Sequence, residues 1–129
     1  MHYSASLFRI ARHGTGTASL LLREAPFIDL VPYRYPRPDM SRMQALVEHA
    51  AENQVHIIGL PLGGNDAEQW TSFTSAAKQH PDILFIASAG NNGRNVDIHP
   101  VYPASLDLDN LLVVTSSNDF IVPASRSRK

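Results

Sequence analysis

Apolar residues recur along this chain with two different spacings, which predict helices alternating with strands. In the segment 40–53 they fall at positions i, i+3, i+4 and i+7, at Met43, Leu46, Val47 and Ala50. This spacing forms one continuous apolar face of a helix. Short apolar runs bounded by Gly or Pro, such as 55–60, instead predict strands.

The same analysis of apolar spacing assigns a helix or a strand to most of the chain. It predicts three helices, over 14–24, 40–53 and 67–79. It predicts four strands, over 27–31, 55–60, 83–87 and 111–115. Asp66 precedes the third helix and is its predicted N-cap, because an aspartate there accepts from a free backbone N–H. The strand 55–60 is so apolar that both of its faces are predicted to be buried.

Strands that alternate with helices predict right-handed crossovers and a parallel sheet. The predicted fold is therefore an α/β three-layer sandwich with a mainly parallel sheet. Such sheets carry their functional loops at the carboxyl ends of the strands. The loops after Leu60, Ala87 and Thr115 occupy those positions.

Composition limits the classes of function. The chain has 129 residues, a formal net charge of −1 and no cysteine. These values suit one domain and exclude disulfides, thiolate metal sites and the basic footprint expected of a nucleic-acid partner. Apolar runs are shorter than the ~20 residues of a membrane span, and the first residues do not read as a signal peptide. No membrane partner is predicted, and the compartment stays open.

Three segments have the residue types of a catalytic site. His13 stands before Gly14 near a predicted helix start, where glycine permits close approach of a substrate. Asn91 follows the strand 83–87, and an asparagine there can donate its amide to a developing oxyanion. The segment 60–64 ends another strand in two glycines. Taken singly, each segment is also typical of an ordinary turn.

In order and together, these segments resemble the subtilase family of serine proteases. Its motifs are matched by His13-Gly14-Thr15-Gly16-Thr17-Ala18, by Leu60-Pro61-Leu62-Gly63-Gly64, by Ala89-Gly90-Asn91-Asn92-Gly93 and by Tyr102-Pro103-Ala104. The similarity covers about residues 10–119 and makes 1–129 one partial peptidase domain with a polar tail over 120–129.

The resemblance implies a role for each matched residue. His13 would be the general base, and Asn91 would donate to the tetrahedral oxyanion. Two backbone segments would line the primary specificity pocket and pair with an extended peptide. These segments are Leu62, Gly63 and Gly64, and Ser88, Ala89 and Gly90.

The chain also departs from the family's pattern. It contains no Gly-Thr-Ser-x-Ala block, and Ser125 lacks the neighbours of the family's nucleophile. No Asp or Glu precedes His13, and Pro61 replaces the usual serine. The fold is therefore expected to be incomplete. Two functions stay open: part of a serine endopeptidase that is inactive alone, or a pseudoprotease that binds a peptide or protein.

Other interpretations are weaker. Arg12-His13-Gly14 also resembles a histidine phosphatase block, with 7–11 as its strand. Six histidines lack the i, i+4 spacing of a metal site, so no cofactor is predicted, although the resemblance allows calcium without identifying its ligands. Aromatic and basic residues over 33–37 could form the rim of a substrate cleft or ordinary surface, and ordinary surface is the preferred interpretation. A truncated sheet would expose strand edges, which favours an oligomer or a covering partner.

Overall fold

The computed structural model of the chain describes residues 4–9, 11–36, 38–61, 63–90 and 99–115, with side chains from residue 16 onward. Its strands are β1 Ser4–Arg9, β2 Asp29–Arg34, β3 Val55–Leu60, β4 Leu84–Ser88 and β5 Leu111–Val114. Its α-helices are α1 Ala11–Glu24, α2 Met43–Glu52 and α3 Thr71–Gln79. Short 3₁₀ turns, Met40–Arg42 and Ala67–Trp70, lead into α2 and α3.

The strands form one parallel sheet in the order β2-β1-β3-β4-β5. The chain steps from β1 to β2 in one direction and from β2 to β3, β4 and β5 in the other. Right-handed crossovers in opposite directions place their helices on opposite faces of the sheet. Thus α1 covers one face, while α2 and α3 cover the other. The predicted three-layer α/β fold is confirmed.

The core lies between the sheet and the α2–α3 pair. Its centre is a row of aromatic rings that begins with Tyr35 stacked on Trp70. Trp70 meets Phe73 edge to face with ring centroids 5.6 Å apart, and Phe73 meets Phe85 in the same way at 5.0 Å. Edge-to-face pairs bring the positive edge of one ring to the negative face of the next. This row joins α3 to β4, which fixes the helix layer on the sheet.

Local capping follows the predicted chemistry. The Asp66 carboxylate accepts from the backbone N–H of Glu68 at 3.1 Å, at the start of the turn that leads into α3. The predicted N-cap is therefore confirmed. The predicted helix 67–79 is observed as the 3₁₀ turn followed by α3.

The sheet differs from the sequence-based expectation at three places. It has a fifth strand, β1, which the four-strand prediction lacked. The strand predicted at 27–31 lies instead at Asp29–Arg34 and includes Pro32. Because β2 pairs only with β1, it is an edge strand, and an edge strand tolerates a residue without an N–H.

The third difference concerns β3, which was predicted to be buried on both faces. Ile58 and Leu60 are buried beneath α2 and α3. Ile57 and Gly59, which alternate with them, are only partly buried. The reason is that α1 covers its face of the sheet incompletely.

The segment before β5 is held by one amide side chain, that of Asn110. Its Nδ2 lies 3.1 Å from the carbonyl oxygen of Ala77 and 3.0 Å from those of His80 and Ile83. Ala77 lies in the last turn of α3, His80 is its C-cap residue, and Ile83 precedes β4. The Ala77 and His80 carbonyls also accept from the backbone N–H groups of His80 and Ile83, so the amide adds a further donor that ties the end of α3 to the segment before β5.

We expect Asn110→Ala to lower the free energy of unfolding by about 1–3 kcal/mol, because the part-buried amide loses its hydrogen bonds to three carbonyls. Urea denaturation followed by far-UV circular dichroism measures the change. Asp109→Ala, at the exposed neighbouring position, is the control and is expected to stay within about 0.5 kcal/mol of the parent. Equal effects of the two substitutions would contradict a specific role of the Asn110 amide.

Candidate active site

The candidate site lies at the carboxyl edge of the sheet, where the strand order reverses. β1 and β3 are neighbours, but the chain leaves β1 toward β2 on one side and leaves β3 toward β4 on the other. Such a switch point opens a crevice, because the connections diverge onto opposite faces. α1 begins at Ala11, just after β1, so its first turn lies at this edge. His13 is the third residue of α1, and its side chain lies outside the described residues.

The segment after β3 is held by a short antiparallel bridge. The Gly64 N–H donates to the Tyr102 carbonyl at 2.9 Å, and the Tyr102 N–H donates to the Gly64 carbonyl at 2.7 Å. A Cβ added at Gly63 would lie 2.4 Å from the Tyr102 carbonyl oxygen. Glycine at this position is therefore required by the close approach of two backbones. Leu62 lies outside the described residues.

The segment after β4 turns away from the sheet within three residues. The Ala89 N–H donates to the Val114 carbonyl at 2.9 Å, which extends the pairing of β4 with β5 by one bond. The Gly90 N–H then donates to the Ser88 hydroxyl at 3.1 Å. Gly90 has φ of 94°, a conformation that side chains with a Cβ rarely adopt. The chain is thus redirected immediately before Asn91, which lies outside the described residues.

These two segments are brought together by the register of the sheet. Leu60 of β3 pairs with Ala87 of β4, so Pro61 and Ser88 follow at the same level of neighbouring strands. Both residues line one cleft, which has a volume of about 620 Å³. The described part of the site therefore joins the segments after β3 and β4, while the contacts of Leu62, His13 and Asn91 stay predictions.

Sequence reasoning missed the residues that hold these segments. Tyr102 was matched to the family, but its backbone bridge to Gly64 was not foreseen. The hydrogen bond from the Ala89 N–H to the Val114 carbonyl was not foreseen either. The adjacent glycines at 63 and 64 were the one available signal, since paired glycines often mark close backbone approach.

The aromatic and basic segment 33–37, described here as far as residue 36, begins at the carboxyl end of β2, where Arg34 pairs with Arg9 at the end of β1. Tyr35 is buried against Trp70. The Tyr33 hydroxyl lies 2.5 Å from Nδ1 of His49, and burial raises the pKa of the Tyr33 phenol above its usual value. Both tyrosines pack against the core beneath α2 and α3, so the interpretation as ordinary surface is wrong for Tyr35.

Among the described residues, no group of three or more His, Asp or Glu side chains is placed to hold a metal ion. Within the same residues, no helix combines the length and the apolar character that a membrane crossing needs.

Comparisons with known proteins agree with this architecture. The model of the subtilase family, peptidase S8, matches residues 9–129. The chain is 34% identical over 127 residues to the subtilisin-like protease het-Q2 of Podospora anserina, covering 88% of this chain and 34% of that protein. The chain therefore belongs to the subtilase family of serine proteases. It spans about a third of the length of that relative.

Solved structures show the same fold at lower identity. The PatG macrocyclase in complex with peptide matches with a TM-score of 0.59 and 17% identity, over 81% of this chain and 31% of that one. The PatG macrocyclase domain matches with a TM-score of 0.56 and 13% identity, over 97% and 54%. At these identities the likeness concerns the fold alone.

Proposed function

We propose that this chain carries the histidine and oxyanion part of a subtilase catalytic domain whose complete form hydrolyses peptide bonds, and that the chain alone does not. The main observation in support is that the start of α1 and the segments after β3 and β4 all lie at one edge of the sheet. In a subtilase, this edge would present His13 and Asn91 to the same substrate carbonyl. The sequence lacks the family's serine block, and without that nucleophilic serine no acyl-enzyme forms. This absence supports the proposal that the chain alone is inactive.

The proposed chemistry divides among the matched residues. His13 would take the proton from the serine hydroxyl as it attacks and return it to the leaving amine. The Asn91 amide would donate to the oxyanion, which bears the charge that develops in the transition state. The segments 62–64 and 88–90 would hold the peptide in an extended conformation by backbone pairing.

A second candidate is a pseudoprotease that binds an extended peptide without cutting it. The observation in its favour is the same missing serine block. In support of peptide binding by either candidate, the related fold of the PatG macrocyclase is known in a complex with peptide.

A chimera tests the proposal. In it, residues 9–129 replace the matching segment of the Podospora protease. We expect the chimera, but not the isolated chain, to cleave a fluorogenic peptide and to gain the mass of a fluorophosphonate, which labels activated serines. Asn91→Ala is expected to lower kcat by about 10²–10³-fold, a magnitude that comes from subtilisin itself. His13→Gln is expected to remove both labelling and cleavage.

Matched controls are available on the same chain. His99→Gln and Asn53→Ala change exposed residues outside the segments with proposed roles and are expected to leave kcat and KM unchanged. An active chimera that tolerates His13→Gln would refute the assignment of the base. A folded but inactive chimera whose chain still binds peptide would favour the pseudoprotease. A fluorophosphonate adduct on the isolated chain would refute its inactivity.

A further inference from the structure

Arginines from three successive elements lie at the carboxyl edge of β1 and β2. Arg9 ends β1 and Arg34 ends β2, and the two residues are paired in the register of the sheet. α1 begins at Ala11, and Arg12 is its second residue. Neighbouring strands lie about 4.8 Å apart, so several positive charges are gathered at one part of the edge. His13, the proposed general base, follows Arg12 directly.

Arg34 lies on the face of the sheet that carries α1. Successive side chains of a strand alternate between its two faces. Tyr33 packs against the core beneath α2 and α3, so Arg34, the next residue, belongs to the opposite face. Arg9 occupies the paired position of the neighbouring strand and belongs to that same face. The Arg34 side chain is exposed, so a ligand at the candidate site can reach it.

The acidic residues of the neighbouring loops are not paired with Arg34. Asp39 follows β2, and its carboxylate accepts from a backbone N–H of the turn before α2 at 3.2 Å. Asp66 follows β3 and caps the turn before α3 in the same way. Within the part of the chain that the structure describes, the only ion pair joins Arg23 to Glu24 at the far end of α1. Among these residues, the Arg34 guanidinium therefore has no carboxylate partner.

A carboxylate is the group that such a guanidinium is suited to bind. Arginine presents its N–H donors in a planar fork that matches the two oxygens of a carboxylate. The segments after β3 and β4, which are proposed to hold an extended peptide, lie at the same edge of the sheet. Because β1 separates β2 from β3, Arg34 lies about 10 Å from the end of β3, a distance that about three residues of extended peptide span.

We propose that the arginine cluster, Arg9, Arg12 and Arg34, selects peptides that carry an acidic side chain within about three residues of the bond presented to His13. Arg34 is the specificity-determining residue of this cluster. The inference rests on the proposed function, since it concerns the same peptide-binding edge. It adds the class of peptide, which the chemistry of hydrolysis does not determine.

Matched fluorogenic peptides test the proposal in the chimera with the Podospora protease. They carry Asp, Asn or Lys in turn at each position within about three residues of the scissile bond. At one position or more, we expect kcat/KM for the Asp peptide to exceed that for the isosteric Asn peptide at least about tenfold, as a hydrogen bond between charged groups provides. The ratio is expected to fall as salt is added, because exposed charges are screened. Cleavage without an Asp preference at any position would overturn this proposal and leave the catalytic one intact.

Charge reversal tests the role of Arg34. Arg34→Glu is expected to reverse the preference, so that the Lys peptide is cleaved faster than the Asp peptide, and Arg34→Gln is expected to abolish it. Arg23→Glu is the matched control, because it makes the same change of charge at an exposed residue at the far end of α1. It is expected to keep the Asp preference. An equal loss in Arg34→Glu and Arg23→Glu, or a preference that survives Arg34→Gln, would overturn the role of Arg34.

Peptide binding separates a failure of this proposal from a failure of the catalytic one. Fluorescence anisotropy measures the Kd of the labelled Asp and Asn peptides for the isolated chain and for its Arg34→Glu variant. An inactive chimera, together with an isolated chain that binds the Asp peptide at least about tenfold more tightly, would refute the proposed catalysis and support the selection of acidic peptides. Equal Kd values, or no detectable binding of either peptide, would overturn that selection.

Discussion

Phe73→Ala is expected to lower the free energy of unfolding by about 3–5 kcal/mol. The Phe73 side chain is fully buried and makes edge-to-face contacts with Trp70 and Phe85. Truncation removes the transfer free energy of the ring and leaves a cavity that Trp70 and Phe85, each held by other neighbours, fill only partly. The loss is a large share of the ~5–15 kcal/mol by which a domain of this kind is stable.

Urea denaturation followed by the fluorescence of Trp70, the one tryptophan of the chain, measures this loss. Ser75→Ala is the control, because Ser75 lies on the exposed side of the same helix. Its effect is expected to stay within about 0.5 kcal/mol. A change below about 1 kcal/mol for Phe73→Ala would mean that the ring row does not fix α3 on the sheet.

Gly63→Ala is expected to destabilise the chain by about 1–3 kcal/mol, a cost typical of overpacking. The new Cβ would lie 2.4 Å from a backbone oxygen, that of Tyr102, which has no flexible end to move away. The bridge between Gly64 and Tyr102 must therefore separate. In the active chimera, the same substitution is expected to raise KM for peptides, since this segment is proposed to pair with the substrate.

The neighbouring Gly64→Ala is the matched control. A Cβ at Gly64 would lie 3.9 Å from Nε1 of Trp70, an ordinary contact distance. Its effect on stability is expected to be smaller than that of Gly63→Ala. If both variants unfold at the same urea concentration as the parent, the Gly63–Tyr102 approach is not a constraint on the fold.

The candidate site could be predicted only as an ordered set of blocks. His13, the glycines at 63 and 64 and Asn91 match motifs of the family, and the order of these motifs along the chain identified the family. Their assembly depends on the sheet: parallel pairing of β3 with β4 brings Pro61 level with Ser88. No local pattern encodes which strands become neighbours, because that choice depends on packing between distant segments.

The sequence by itself determined the elements whose signals are local. The apolar face of α2, the Asp66 cap and the buried runs of β3 and β4 each depend on residues within a few positions of one another. Only the tertiary structure decided the place of β1, the edge position that accommodates Pro32, the half-covered second face of β3 and the approach of Gly63 to Tyr102. Each of these depends on what lies across the sheet, and a one-dimensional pattern does not contain that information.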